Sequence, residues 1–195
     1  MTITDINQLD PTKKYTYADY LTWRFKERVE LIKGKLFKMS PAPNRRHQMM
    51  VGEIYGHFWT FLKKHKCEVF VAPFDVRLPV PKNSDKDYTV VQPDITVVCD
   101  ESKLDEQGCN GAPDLVVEVL SPGNTQKEMR DKFEVYQNSG VREYWLVDPQ
   151  RESILIYGLN EDGKYIAGHP YVTGMKVESN VLPGFVLDTS EIFGT

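Results

Sequence analysis

The sequence predicts an α/β fold, a mixed β-sheet flanked by helices. Two amphipathic segments, at 44–65 and 125–138, have apolar residues at helical spacing. Val-rich runs at 68–78, 90–98 and 115–120 lie between them, and another apolar run follows at 142–147. The 195 residues suit one domain, 1–195. With 41% hydrophobic and 27% charged residues, the composition is globular and excludes a disordered chain.

Residues 1–14 read as a peripheral tail. Their start is polar and acidic, unlike a signal peptide. Thr16, with Asp19 three residues later, marks a helix start, and a short helix is expected to about Lys26. Residues 29–39 read as a hairpin turning at Lys33-Gly34. Ser40-Pro41-Ala42-Pro43 breaks the chain, and Asn44 caps a long helix to about His65. Met50, Val51, Ile54, Phe58, Phe61 and Leu62 form its buried stripe, and His47 falls on the same inward face.

Strands are expected at 68–78, 90–98 and 115–120, with loops at 79–87 and 99–113. The third strand is apolar on both sides, so it should be central and covered on both faces. Ser121-Pro122-Gly123-Asn124 leads into the second helix, which closes near Gly140. A strand at 142–147 and a hairpin of 153–157 with 165–171 follow, turning at Glu161-Asp162-Gly163. The tail from Val177 reads as irregular, with residues 186–195 peripheral. Tyr144, Trp145 and Trp59 read as core aromatics, and His169 has no assigned role.

The net charge of −4 hides an asymmetry: residues 11–66 hold 13 Lys and Arg against 4 Asp and Glu. Residues 67–195 hold 11 against 22. This pattern suits a polyanion contact, or simply solvated faces of opposite sign. Cys67, Cys99 and Cys109 form no C-x-x-C pair, which argues against a zinc ribbon or redox motif and leaves them without a role. A reduced, cytoplasmic protein is the expectation, and no stretch is apolar enough to span a bilayer. Phosphate-loop, dinucleotide and serine-hydrolase motifs are missing.

Two acids interrupt apolar strands: Asp94 after Pro93, and Glu118 in Leu115-Val116-Val117-Glu118-Val119-Leu120. Buried carboxylates need a partner, and hard divalent ions such as Mg²⁺ take oxygen ligands. Two carboxylates on neighbouring strands can hold one such ion, although each alone could be a salt-bridge member. The second helix carries an apolar stripe of Met129, Phe133 and Tyr136. At 100° per residue, Lys132 lies at roughly 300° from Met129, on the stripe's edge, and Lys127 at roughly 160°, on the far side. Lys132 is therefore the lysine that reaches inward.

Pro93-Asp94 followed by Glu118-Val119 resembles the core of the PD-(D/E)xK nuclease superfamily. Val117 to Pro122, Lys132-x-x-x-Tyr136 and the run Gly140 to Pro149 resemble the Uma-type restriction-endonuclease domain family. The match extends to Glu30-Leu31-Ile32-Lys33-Gly34 and His47 and covers about residues 15–185. One departure is Leu120, where the superfamily pattern has lysine two residues after the Glu. The resemblance implies that the lysine has moved to the next helix, onto Lys132. It also implies a restriction-endonuclease-like fold and a further acidic ligand, direct or through water, at Glu30.

The expected reaction is Mg²⁺- or Mn²⁺-dependent hydrolysis of a phosphodiester, with DNA the favoured substrate. Asp94, Glu118 and the Val119 carbonyl are the expected metal ligands, and Lys132 the positioned charge. His47 is expected to hydrogen-bond a ligand carboxylate or the phosphate. Arg45, Arg46, Lys63, Lys64 and Lys66 are expected to contact the nucleic-acid backbone, and a homodimer would suit symmetric duplex cutting. The alternatives are a catalytically inactive module that binds nucleic acid or protein, and a hydrolase of small phosphorylated molecules.

Overall fold

In the computed structural model, residues 2–39, 44–78, 89–123 and 125–194 are described. The expected break at 40–43, the expected loop at 79–87 and Asn124 lie outside them. Thr16 caps α1 (Tyr17–Tyr20) with a reciprocal Thr16–Asp19 capping box. The helix makes one turn and stops well short of Lys26. Trp23 leaves it to bridge Ile3 and to meet Tyr15 edge-on, with ring centroids 5.3 Å apart. The apolar gain of burying Trp23 outweighs one more helical turn.

Strands β1 (Val29–Ile32) and β2 (Lys35–Lys38) pair around Lys33 and Gly34, whose φ angles are +52° and +76°. Two successive positive φ values suit the twist of a two-residue hairpin turn. Helix α2 (Arg45–Leu62) begins where the Asn44 side chain accepts the His47 amide hydrogen. The inward stripe is as expected, His47 included, except that Phe61 is only half-buried. Trp59 is a correction: it is 50% exposed, so it is not a core aromatic.

Two expected strands are each split between two sheets. Residues 68–78 form β3 (Glu68–Val71) and β4 (Val76–Leu78), and residues 90–98 form β5 (Thr89–Val91) and β6 (Ile95–Val98). Pro73 and Pro93 stand at the breaks, where a residue with no amide hydrogen interrupts a ladder. The expected loop at 99–113 contains a 3₁₀ turn, β7 (Leu104–Asp105) and β8 (Gly108–Asn110). Then come β9 (Leu115–Val119), α3 (Gln126–Ser139), β10 (Glu143–Asp148), β11 (Ser153–Leu159), β12 (Tyr165–Ala167) and β13 (Tyr171–Val172). The chain ends in β14 (Lys176–Glu178), β15 (Val186–Asp188) and α4 (Thr189–Phe193).

The central sheet has the order β12-β11-β10-β9-β6-β3, with β13 also on β11. The β9–β10 pair is parallel, with α3 as the crossover. The second sheet has the order β2-β1-β5-β4-β8-β7. One face of the central sheet buries Ile95, Val97, Val117 and Trp145 against α2 and the C-terminal elements. The other buries Val98, Val116 and Tyr144 against α3 and the second sheet. Both faces of β9 are covered, as its apolar run requires.

The C-terminal segment is the clearest departure in the fold. Instead of an irregular, peripheral tail it forms a β-pair and a short helix, with Leu187, Ile192 and Phe193 buried in the core. Fully buried Glu143 holds its approach by accepting the Asn180 amide hydrogen. At the other terminus, Ile3, Ile6 and Leu9 pack on the outer face of β1. The cysteines also depart from expectation: Cys67 and Cys99 form a disulfide. Glu68 pairs with Val98, so the residues before β3 and after β6 stand side by side. No helix among the described residues is long and apolar enough to cross a membrane.

Candidate active site

The chain crosses from the second sheet to the central one at Gln92-Pro93-Asp94, between β5 and β6. Ile95 pairs with Val117, so one further step sets Asp94 opposite Glu118. Both share the sheet face of Thr96 and Val116, because side chains alternate along a strand. Asp94 Oδ2 accepts the Val119 amide hydrogen at 2.8 Å. His47, from the first turn of α2, reaches the same oxygen with Nε2 at 3.3 Å.

Helix α3 supplies the cation. Lys132 Nζ lies 3.0 Å from Glu118 Oε1 and 3.0 Å from Glu30 Oε1. Tyr136, one turn along the same helix face, donates its hydroxyl to Glu118 Oε1 at 2.6 Å. Glu30 Oε1 also accepts the Gln92 amide hydrogen at 2.8 Å. Lys132, Val135 and Tyr136 are the buried residues of α3. Lys132 is thus central on the inward face rather than at its edge, and Met129 is only half-buried.

Exposure falls steadily into the site: the side chain is 20% exposed for Asp94, 12% for Glu118 and 2% for Glu30. The opening is therefore on the Asp94 side. Burial pushes the Glu118 carboxyl up; Lys132 pulls it back, and the charges of Asp94 and Glu30 push it up again. Burial alone would discharge Lys132, but Glu118 and Glu30 hold it firmly protonated. Burial keeps the Tyr136 phenol neutral, so it remains a donor. For His47, burial opposes protonation. Asp94, the Val119 carbonyl and the Glu118 charge overcome it and raise its pKa above the usual value. Among the described residues, the buried His47 Nδ1 has no hydrogen-bond partner.

Three carboxylates share this space with one lysine, an excess of negative charge that a cation would relieve. The Asp94 and Glu118 carboxylates and the Val119 carbonyl make an oxygen-only donor set, the chemistry of Mg²⁺ or Mn²⁺. A cavity of about 10 Å³ borders Glu118, Val119 and Lys132, room for about one water. Among the described residues no group of three or more His, Cys, Asp or Glu is arranged to hold a metal. An ion here would keep much of its water shell, as Mg²⁺ usually does.

Asp94, Glu118, Lys132, Glu30 and His47 come together. The five basic residues expected at nucleic acid do not. Arg45 and Arg46 start α2, and Lys63, Lys64 and Lys66 lie at or beyond its end. Its 18 residues span roughly 27 Å at 1.5 Å each. Tyr136 and Gln92 were missed as site residues. The four-residue spacing of Lys132 and Tyr136 was the available signal for the first. The Gln92 contact depends on the two sheets meeting, which no local pattern encodes.

Residues 17–190 match the Uma2 family, described as "Putative restriction endonuclease". An uncharacterized protein of Synechocystis sp. is 28% identical over 159 residues, which is 80% of each chain. A crystal structure from Anabaena variabilis, described as "a putative nuclease belonging to DUF820", aligns with a TM-score of 0.72 at 19% identity. The alignment covers 92% of this chain and 97% of that one. At that identity the likeness is one of fold.

Proposed function

On the premise that the chain belongs to the Uma2 family of restriction-endonuclease-like proteins, we propose that it is a metal-dependent nuclease that hydrolyses DNA. One observation supports this reading above the others. Asp94 and Glu118 stand opposite each other on adjacent strands, and Lys132 touches Glu118 at 3.0 Å.

Asp94, Glu118 and the Val119 carbonyl would hold Mg²⁺ or Mn²⁺. When bound, such an ion lowers the pKa of water and neutralises charge on the phosphate. Glu118 Oε1 is already taken by Lys132 and Tyr136, so Oε2 is the oxygen that Glu118 would offer. Tyr136 positions Glu118 by fixing its carboxylate plane. Lys132 keeps one of its three donors beyond those aimed at the two acids. That donor orients the attacking water and stabilises the charged transition state. The surroundings of Glu30 support a different task from the one the resemblance implied. Enclosed and bonded to Lys132 and the Gln92 amide, it positions Lys132 rather than the metal. His47 orients Asp94 through Oδ2. Arg45 and Arg46, at the His47 end of α2, steer the DNA backbone; Lys63, Lys64 and Lys66, at the far end, serve a more distant contact. A symmetric cut in duplex DNA would require two copies.

The test is plasmid cleavage in Mn²⁺ by the wild-type chain, Asp94→Ala and Lys132→Ala. Each variant should lose on the order of 10²-fold or more; equal activity in all three would discard the assignment. A second reading, an inactive nucleic-acid- or protein-binding module, is favoured by one feature: Lys132, Glu30 and Glu118 already form a closed ion-pair network. Mn²⁺ titration separates the two, because a nuclease site should bind the ion and lose it in Glu118→Ala.

A further inference from the structure

At the edge of the central sheet away from Asp94 and Glu118 lies a cavity of about 340 Å³, within the size range of small-molecule sites. The Cys67–Cys99 disulfide forms part of its wall, and neither cysteine is fully buried. His65, Lys66 and Arg142 border it with exposed basic side chains. Two acids also line it. Asp114 is balanced by Arg142 at 3.1 Å and by the Cys99 amide hydrogen at 2.7 Å. Asp100 accepts from the amide and hydroxyl of Ser102. Phe61 and Leu182 add an apolar wall.

We propose that this cavity binds a small anionic thiol and that the Cys67–Cys99 disulfide exchanges with it. The inference is independent of the nuclease reading. Lys66 and Arg142 offer exposed donors to an anionic group at the rim, where Asp100 and Asp114 balance their charge, and the volume admits a peptide-sized molecule. The disulfide makes a thiol the fitting reactant. An incoming thiolate attacks one sulfur, forms a mixed disulfide and expels the other cysteine as a thiolate. Lys66 precedes Cys67 directly in sequence and stabilises its thiolate, as nearby cations do. Cys67 is therefore the leaving group, and the adduct forms on Cys99. A second thiolate attacks the small-molecule sulfur of that adduct and releases Cys99. Two thiols thus become one small disulfide, and their two electrons leave Cys67 and Cys99 reduced.

The probe is glutathione, an anionic thiol, with uncharged 2-mercaptoethanol as the comparison. The folded full-length chain is incubated with each, quenched by alkylation, and read by intact mass and peptide mapping. A glutathione adduct on Cys99 should precede full reduction. Arg142→Gln should slow the glutathione reaction about threefold at low salt and leave the 2-mercaptoethanol rate unchanged. Protein isolated with both thiols free is run in reverse with oxidised glutathione, and the same charge dependence is expected. A disulfide that resists both thiols until the chain is denatured would overturn the proposal. So would an Arg142→Gln variant that slows both reagents equally.

Discussion

The dipeptide Pro-Asp occurs at both ends of the central sheet, as Pro93-Asp94 and Pro113-Asp114. The first lies before β6 and the second before β9, an antiparallel pair, so the two aspartates sit at opposite edges. Asp114 meets the Arg142 guanidinium and the Cys99 amide, which balance its charge. Asp94 meets a histidine, an amide and a second carboxylate, and the nearest lysine is already shared by Glu118 and Glu30. The same two residues therefore make a closed structural contact at one edge and an electrostatically unfinished one at the other. The dipeptide carries little meaning alone; what faces it decides.

The sharpest way to break this contrast is Lys132→Met. It leaves Glu30 and Glu118 buried without their cation, which costs about 3–5 kcal/mol. Chemical denaturation should show that loss, and the variant should not cleave DNA. Next is Tyr136→Phe, which removes a 2.6 Å hydrogen bond to a carboxylate and should cost about 1.5–3 kcal/mol. Cleavage should fall about tenfold through a lower kcat, since an uncertain Glu118 orientation weakens positioning.

A pH series sharpens the comparison further. Glu118 is pushed up to about 7 from 4.5, and His47 is also raised. In both cases the folded chain retains a proton that the unfolded chain releases. Stability should therefore fall as pH rises, between about 4.5 and about 7 for Glu118 and above the unfolded histidine value for His47. The metal-free protein should have a lower denaturation midpoint at pH about 8 than at about 6, and Glu118→Gln should flatten much of that slope. The smallest effect belongs to the other edge. Arg142 is 58% exposed, so Arg142→Ala should change stability by about 0–1 kcal/mol and leave DNA cleavage unchanged.

Most of the helices and the hairpin turn were legible because their signals are local. Asn44, Thr125 and Gly140 cap or end their helices as side-chain chemistry dictates. Asp94, Glu118 and Lys132 were legible because a charged residue in an apolar stripe has few places to go. What stayed hidden depends on distant packing. Pro73 and Pro93 show where strands break but not that the chain changes sheets. The residues after Val177 carry no strong period, yet Glu143 and the α2 face give them a surface to fold against. The Cys67–Cys99 pairing follows from the β3–β6 register, which spacing 32 residues apart in sequence does not encode.

The sheet crossing at Gln92-Pro93-Asp94 makes this a composite centre. Asp94 and Glu118 belong to the central sheet, but Glu30 comes from the smaller one and the amide that holds it from the crossing itself. A truncated chain that dispensed with the N-terminal hairpin would still carry Asp94 and Glu118. It would also leave the Lys132 ammonium, now held between Glu118 and Glu30, answering to a single carboxylate. Trimming toward a minimal domain must therefore spare residues far upstream of the strands that bear the acid pair.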